Sequence, residues 1–178
     1  MTRRVLNFCR TSTEEAFVDA IELLETQHQE VESLFEMIER AGEDEKQDLF
    51  EQLADALAVH TTIEEKHFYP ATKSARTEEL LQEAVEEHLS AKRLVADLME
   101  MSPDDPQFEA KIKVLQEQVD HHVEEERTQL FPKVRKLLEK EELEDLGVVM
   151  EDLAEELKAS GSSRESVPAE TGEATPLE

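Results

Sequence analysis

The chain has 178 residues, 36% of them charged and 4% aromatic, with a formal net charge of −26. That charge argues against nucleic acid or an anionic membrane surface as partner, and a single cysteine, Cys9, excludes an internal disulfide framework. No apolar run approaches the ~20 residues that cross a bilayer and residues 1–10 lack the apolar stretch of a secretory signal, so a cytoplasmic protein is expected; the abundance of Glu, Leu, Ala, Lys and Gln predicts an all-α fold.

Residues 1–12 read as a flexible lead-in. Ser12 with Glu15 three residues on is a capping-box pattern, and Asp19 adds negative charge near that helix start. Phe17, Ile21, Leu24, His28, Val31, Phe35 and Ile38 then recur every three or four residues, the stripe of a first helix that a glycine cap stops at Ala41-Gly42. A second helix is expected from about Asp44, with Leu53, Leu57, His60, Glu64 and Phe68 on its inner face; Pro70 should kink or loosen its end. Thr77 marks the next cap, and the third helix carries Leu81, Val85, His88, Ala91, Leu94 and Leu98. Residues 101–106 form the clearest turn. The fourth helix follows with Phe108, Ile112, Leu115, Val119, His122, Glu126, Leu130 and Val134, and Pro132 near its end. Residues 13–140 therefore predict an up-down-up-down four-helix bundle. Residues 141–159 predict a shorter accessory amphipathic helix, packing on the bundle or on a second copy. Residues 160–178, rich in Ser, Gly, Pro, Thr and Glu, predict a disordered acidic tail.

The two halves repeat. His60 and Glu64, like His122 and Glu126, are four residues apart and so share a helix face, and each pair is followed by a proline, Pro70 or Pro132. Glu64 to Pro70 overlies Glu126 to Pro132 at an offset of 62, and His28 and His88 open the halves 60 apart. His28, His60, Glu64, His88, His122 and Glu126 all fall on inward stripes. Burying two carboxylates costs several kcal/mol each unless they are paired or bind a metal, and no Lys or Arg sits squarely on those stripes. A lone inward histidine is usually a core residue satisfied by hydrogen bonding, and His67 and His121 are read that way or as facing solvent. One histidine on each of four helices, with two His-x-x-x-Glu pairs, instead points to a first shell for two divalent ions. Nitrogen and oxygen donors suit iron, manganese or zinc.

The pattern His28, His60-x-x-x-Glu64, His88, His122-x-x-x-Glu126 resembles the hemerythrin-like, or HHE cation-binding, domain over about residues 14–140. Ferritin-like bundles would instead show Glu-x-x-His pairs. The resemblance implies a non-haem di-iron site, with the four histidines as terminal ligands, Glu64 and Glu126 as bridging carboxylates, and an oxo, hydroxo or water bridge. The oxygen-carrying hemerythrins have a further histidine one turn from the third-helix one, where this chain has Ala84 and Lys92 around His88, and their second carboxylate is an Asp five residues after its histidine, where this chain has Glu126 four residues after His122. Four histidines should leave the two metals nearly equivalent, and Glu32, His67, Tyr69 or His121 remains open as an added ligand.

The expected function is binding of, or reaction with, dioxygen, hydrogen peroxide or nitric oxide, in an oxidative or nitrosative stress response. An enzymatic version would be peroxide-decomposing, catalase- or peroxidase-like. A reductase or signalling protein is the expected partner class. The alternatives are an iron- or oxygen-sensing or metal-buffering module acting through a partner, and a metal-free helical interaction domain.

Overall fold

The computed structural model describes residues 18–177. The lead-in, Cys9, the Ser12/Glu15 cap and Phe17 lie outside them. Helix α1 spans Ala20–Arg40, and its first turn is closed by Asp19, whose carboxylate accepts from the Glu22 amide while Glu22 accepts from the Asp19 amide. Gly42 is not the left-handed cap expected of it: the helix ends at Ala41 in extended backbone, and Gly42 (φ −75°) serves as N-cap of α2, Glu43–Ile63.

Both prolines act just upstream of themselves. α2 widens into a π-helical turn, Glu64–Phe68, before a last α turn, Tyr69–Thr72. The same sequence of turns follows α4 (Pro106–Glu125), as Glu126–Leu130 and Phe131–Val134. Tyr69 N–H donates to the Glu64 carbonyl and Phe131 N–H to the Glu126 carbonyl. Pro70 and Pro132 would each break an α ladder by losing a donor and crowding the carbonyl four residues back. The wider turn absorbs that loss, as π-bulges at functional sites often do. Between these helices lies α3, Glu78–Met99, begun at Thr77, whose hydroxyl turns back onto the Thr72 carbonyl at 2.7 Å.

Two apolar clusters fix the topology. One holds Ile21, Leu24, Ile63, Phe68, Leu81, Val85, Leu130 and Phe131; the other holds Val31, Phe35, Phe50, Leu57, Val95, Leu98, Phe108 and Leu115. Each helix passes from one cluster to the other in the sense opposite to its predecessor, which is the up-down-up-down bundle. On every helix the expected ligands stand at the boundary between the clusters.

The accessory helix lies where it was expected, one residue longer at each end: α5 spans Lys140–Ser160, 21 residues and as long as α1. It packs on α1, α2 and the first π turn. Gly147 allows this: a Cβ there would collide with the Val18 carbonyl and lie 3.0 Å from the Ala20 nitrogen. Gly161, at φ 80°, closes α5 in the left-handed conformation glycine adopts freely. Beyond it the expected disordered tail is instead a docked segment. A 3-10 helix, Ser163–Glu170, lies against α2 and α3, buries Val167 in the second cluster, and is anchored by Arg164 to Asp55 at 2.5 Å and Glu51 at 2.6 Å. Composition alone does not reveal these charge pairs.

Candidate metal centre

Burial at the boundary layer is near complete: His28, His60, His88 and His122 are 3–6% exposed, Glu64 0% and Glu126 2%. The structure brings all six together. His28 Nε2 lies 3.2 Å from His60 Nε2 and 3.3 Å from Glu126 Oε2; His60 Nε2 lies 3.2 Å from Glu64 Oε2. On the other side His88 Nε2 is 3.2 Å from His122 Nε2 and 3.3 Å from Glu64 Oε2, and His122 Nε2 is 3.7 Å from Glu126 Oε2. Two adjoining ligand groups result, His28-His60-Glu64-Glu126 and Glu64-His88-His122, with Glu64 common to both.

The hydrogen bonds at the back of the rings assign their tautomers. His60 Nδ1–H donates to the Gln27 side-chain oxygen at 2.9 Å, His88 Nδ1–H to Glu65 at 3.0 Å and His122 Nδ1–H to Glu87 at 2.8 Å. All three acceptors lack a proton to give, so the neutral form of each ring turns a bare Nε2 lone pair inward. Outer carboxylate or amide partners of this kind are what hold metal-binding histidines in register. In that tautomer His88 and His122, 3.2 Å apart, have no hydrogen to share, and among the described residues Glu64 Oε1 and Glu126 Oε2 are buried without a hydrogen-bond partner. A cation satisfies both conditions at once. With bonds of ~2.1 Å, neighbouring ligand atoms stand ~3.0 Å apart around an octahedral ion and ~3.4 Å apart around a tetrahedral one. The observed 3.2–3.3 Å separations fall within that span.

Electrostatics at Glu64 and His60 agree, while the acidic groups around His122 favour its protonated form until a cation takes the proton's place. Burial, followed by repulsion from Glu126, pushes the Glu64 carboxyl well above the ordinary range. Burial, with the neighbouring His28, His88 and His122, holds His60 well below its ordinary value. For His122 burial works downward, but Glu126, Glu87 and Glu64 prevail and raise it.

Of the four residues left open as added ligands, the structure brings in one. Glu32 is exposed, His67 is half-buried and has no place in either group, and His121 is 63% exposed. Tyr69 is fully buried, its hydroxyl 3.2 Å from His88 Nε2, 3.3 Å from Glu126 and 3.4 Å from Glu64. Tyr69 makes the surroundings of the two histidine pairs unlike. Tyr69 stacks on His88 as Phe131 stacks on His28, and each precedes its proline. Only the tyrosine carries an oxygen to the centre.

Sequence reasoning missed Gln27, Glu65 and Glu87. A signal existed for two of them: Gln27 directly precedes His28 and Glu87 directly precedes His88, an acceptor at the same place in each repeat. Glu65 was hidden in a run of glutamates, and its partner Lys92, 6% exposed, looked like a surface lysine.

The fold and site define a helical bundle with a buried His/Glu layer between two apolar cores, a layer whose side chains could hold a metal cation. Residues 19–134 match the Hemerythrin HHE cation binding domain family, and the chain belongs to that family. The crystal structure of a hemerythrin HHE cation binding domain-containing protein from Mycobacterium kansasii superposes with a TM-score of 0.73 at 25% identity, covering 86% of this chain and 99% of that one. A protein named DNA nickase from Nostoc sp. is 30% identical over 124 residues, 69% of this chain; the chain spans 35% of the length of that relative. Among the described residues no helix is long and apolar enough to cross a membrane.

Proposed function

We propose that this chain is a cytoplasmic di-iron protein that decomposes hydrogen peroxide, in which His28, His60, Glu64, His88, His122 and Glu126 would hold the two ions and Tyr69 would offer a further oxygen on the His88 side. One observation carries the reading. A cavity of about 30 Å³ opens on all four histidines and is otherwise lined by Val31, Leu57, Ala91, Val119 and Val123, with Thr61, Glu87 and Gln118 among them. A water molecule needs ~10–15 Å³ by this measure, so the space suits a molecule of two heavy atoms. Its aliphatic walls favour uncharged hydrogen peroxide, dioxygen or nitric oxide over ions. Both halves of the centre face it, so one small substrate meets both.

Two irons would supply the paired one-electron changes by which two hydrogen peroxide molecules become two waters and one dioxygen, with no outside reductant. The residues do the rest. Gln27, Glu65 and Glu87 orient the imidazoles, the two apolar clusters exclude bulk water, and Tyr69 sets its oxygen beside Glu64 and Glu126. The activity implied by the Nostoc relative's name is not carried over, because a net charge of −26 repels a phosphate backbone.

The test is oxygen evolution from hydrogen peroxide by iron-loaded protein, beside an Ala91→Leu variant that fills the cavity. The native chain should evolve oxygen rapidly; the variant should keep its iron and lose at least ~90% of the rate. A stable, reversible dioxygen adduct with negligible peroxide turnover would favour the carrier or sensor reading instead.

A further inference from the structure

The two halves of the centre differ behind the ligands as well. His88 Nδ1–H is held by Glu65, and Glu65 is held in turn by Lys92 at 2.9 and 3.0 Å. Both of these residues are clamped by the far end of the chain. The Thr175 hydroxyl donates to Glu65 Oε2 at 2.5 Å, and Glu170 pairs with Lys92 at 2.9 Å. Arg93 donates to the carbonyls of Thr171 (2.9 Å) and Gly172 (3.2 Å), and Lys73 to that of Leu177 (2.7 Å), so the segment is tied down along its length.

The repeat shows what the segment adds. At the offset of 62 the counterpart of Glu65 is Arg127, and at the offset of 60 the counterpart of Lys92 is Glu32. The charges are exchanged and both counterparts are exposed. Arg127 has no acceptor to offer, and among the described residues His28 Nδ1 is buried without a hydrogen-bond partner. One third-helix histidine is braced through two buried charges by the C-terminal segment; its first-helix counterpart is not.

Resting on the metal-centre reading above, we propose that residues 163–177 are a strap whose Glu170 and Thr175 act as positioning residues for His88, so that docking of the strap governs retention of the ion in the His88–His122 half. Glu65 and Lys92 transmit the effect, and their side chains, each 7% exposed, are covered by the strap. The His28–His60 half has no such link, so the two ions should respond differently when the strap is weakened.

The experiment loads the full-length chain with Zn2+ and follows its release to an excess of chromogenic chelator. The variants are Thr175→Val combined with Glu170→Gln, Arg164→Ala to loosen the Asp55 anchor at a distance, and Thr175→Ser as the conservative control. The double variant and Arg164→Ala should each release one ion per chain at least about tenfold faster, leave the other unchanged, and melt like the native chain when metal-free. Thr175→Ser should match the native rates. Equal acceleration of both ions, or of neither, would overturn the strap's role as a positioning device. A native chain holding fewer than two Zn2+ would overturn the two-ion reading itself, and the inference with it.

Discussion

His88 Nε2 and His122 Nε2 face each other at 3.2 Å, and each ring turns its Nδ1 to an outer carboxylate, Glu65 or Glu87, so that in the neutral tautomer no hydrogen lies between them. Two neutral lone pairs at that distance repel unless a cation separates them. Metal should therefore be a large part of this protein's stability. An ion at a thousandfold excess over its dissociation constant adds ~4 kcal/mol, which in a domain of this size is a rise of roughly 8–16 °C in melting temperature. Circular dichroism melts of chelated and iron-loaded protein check this. Identical melting temperatures would contradict a buried cation centre.

Glu64 belongs to both ligand groups, whereas His28 belongs to one. Glu64→Gln should accordingly abolish binding of both ions, and His28→Ala of about one, when metal per chain is measured by elemental analysis. The same substitution should not weaken the metal-free fold. Burial disfavours the Glu64 charge before any other influence acts, and Gln presents nearly the same shape without it. A metal-free Glu64→Gln protein that melts well below the native one would show that the carboxylate has a structural role instead.

The bundle and its ligand layer were legible because both depend on periodicity. A helix face repeats every three to four residues, so His28 between Leu24 and Val31 or His88 between Val85 and Ala91 announces an inward position. What surrounds the layer was less legible. Tyr69 could be placed near the centre, but the π turn Glu64–Phe68 that aims its hydroxyl depends on a local break in that same periodicity. The strap escaped notice for a different reason. Its hold depends on Arg164, Glu170 and Thr175 finding partners about 80 to 110 residues away, and low hydrophobicity conceals pairings of that kind.

Tyr69 is the chain's one tyrosine, and there is no tryptophan, so its ultraviolet titration can be read without interference. Burial, followed by the charges of Glu126 and Glu64, raises its hydroxyl well above the ordinary value. In the unfolded chain the hydroxyl ionises near pH ~10. Above that pH the unfolded state has lost a proton the folded state keeps, so the stability this group contributes is intact below pH ~10 and falls as pH rises further. Metal-free protein should therefore gain tyrosinate absorbance only together with loss of helical signal. Iron(III)-loaded protein should show a visible phenolate-to-iron charge-transfer band at neutral pH, and Tyr69→Phe should lack it. Free titration of folded, metal-free protein near pH ~10 would count against the buried hydroxyl.

Gly147 tests the packing that closes the bundle over the first π turn. In an exposed helix, Gly→Ala gains ~1 kcal/mol through helix propensity. Here the added Cβ meets backbone, the Val18 carbonyl and the Ala20 nitrogen, and not the movable end of a side chain. Moving α5 away from the start of α1 would loosen Leu143, Met150 and Ala154 from the first apolar cluster. Overpacking of this kind costs ~1–3 kcal/mol, so the net effect of Gly147→Ala should be a loss of stability with a melting temperature lower by several degrees. Metal per chain should be unchanged at temperatures where the protein remains folded, since no ligand lies on α5. An unchanged or raised melting temperature would mean that α5 does not dock tightly on residues 18–20.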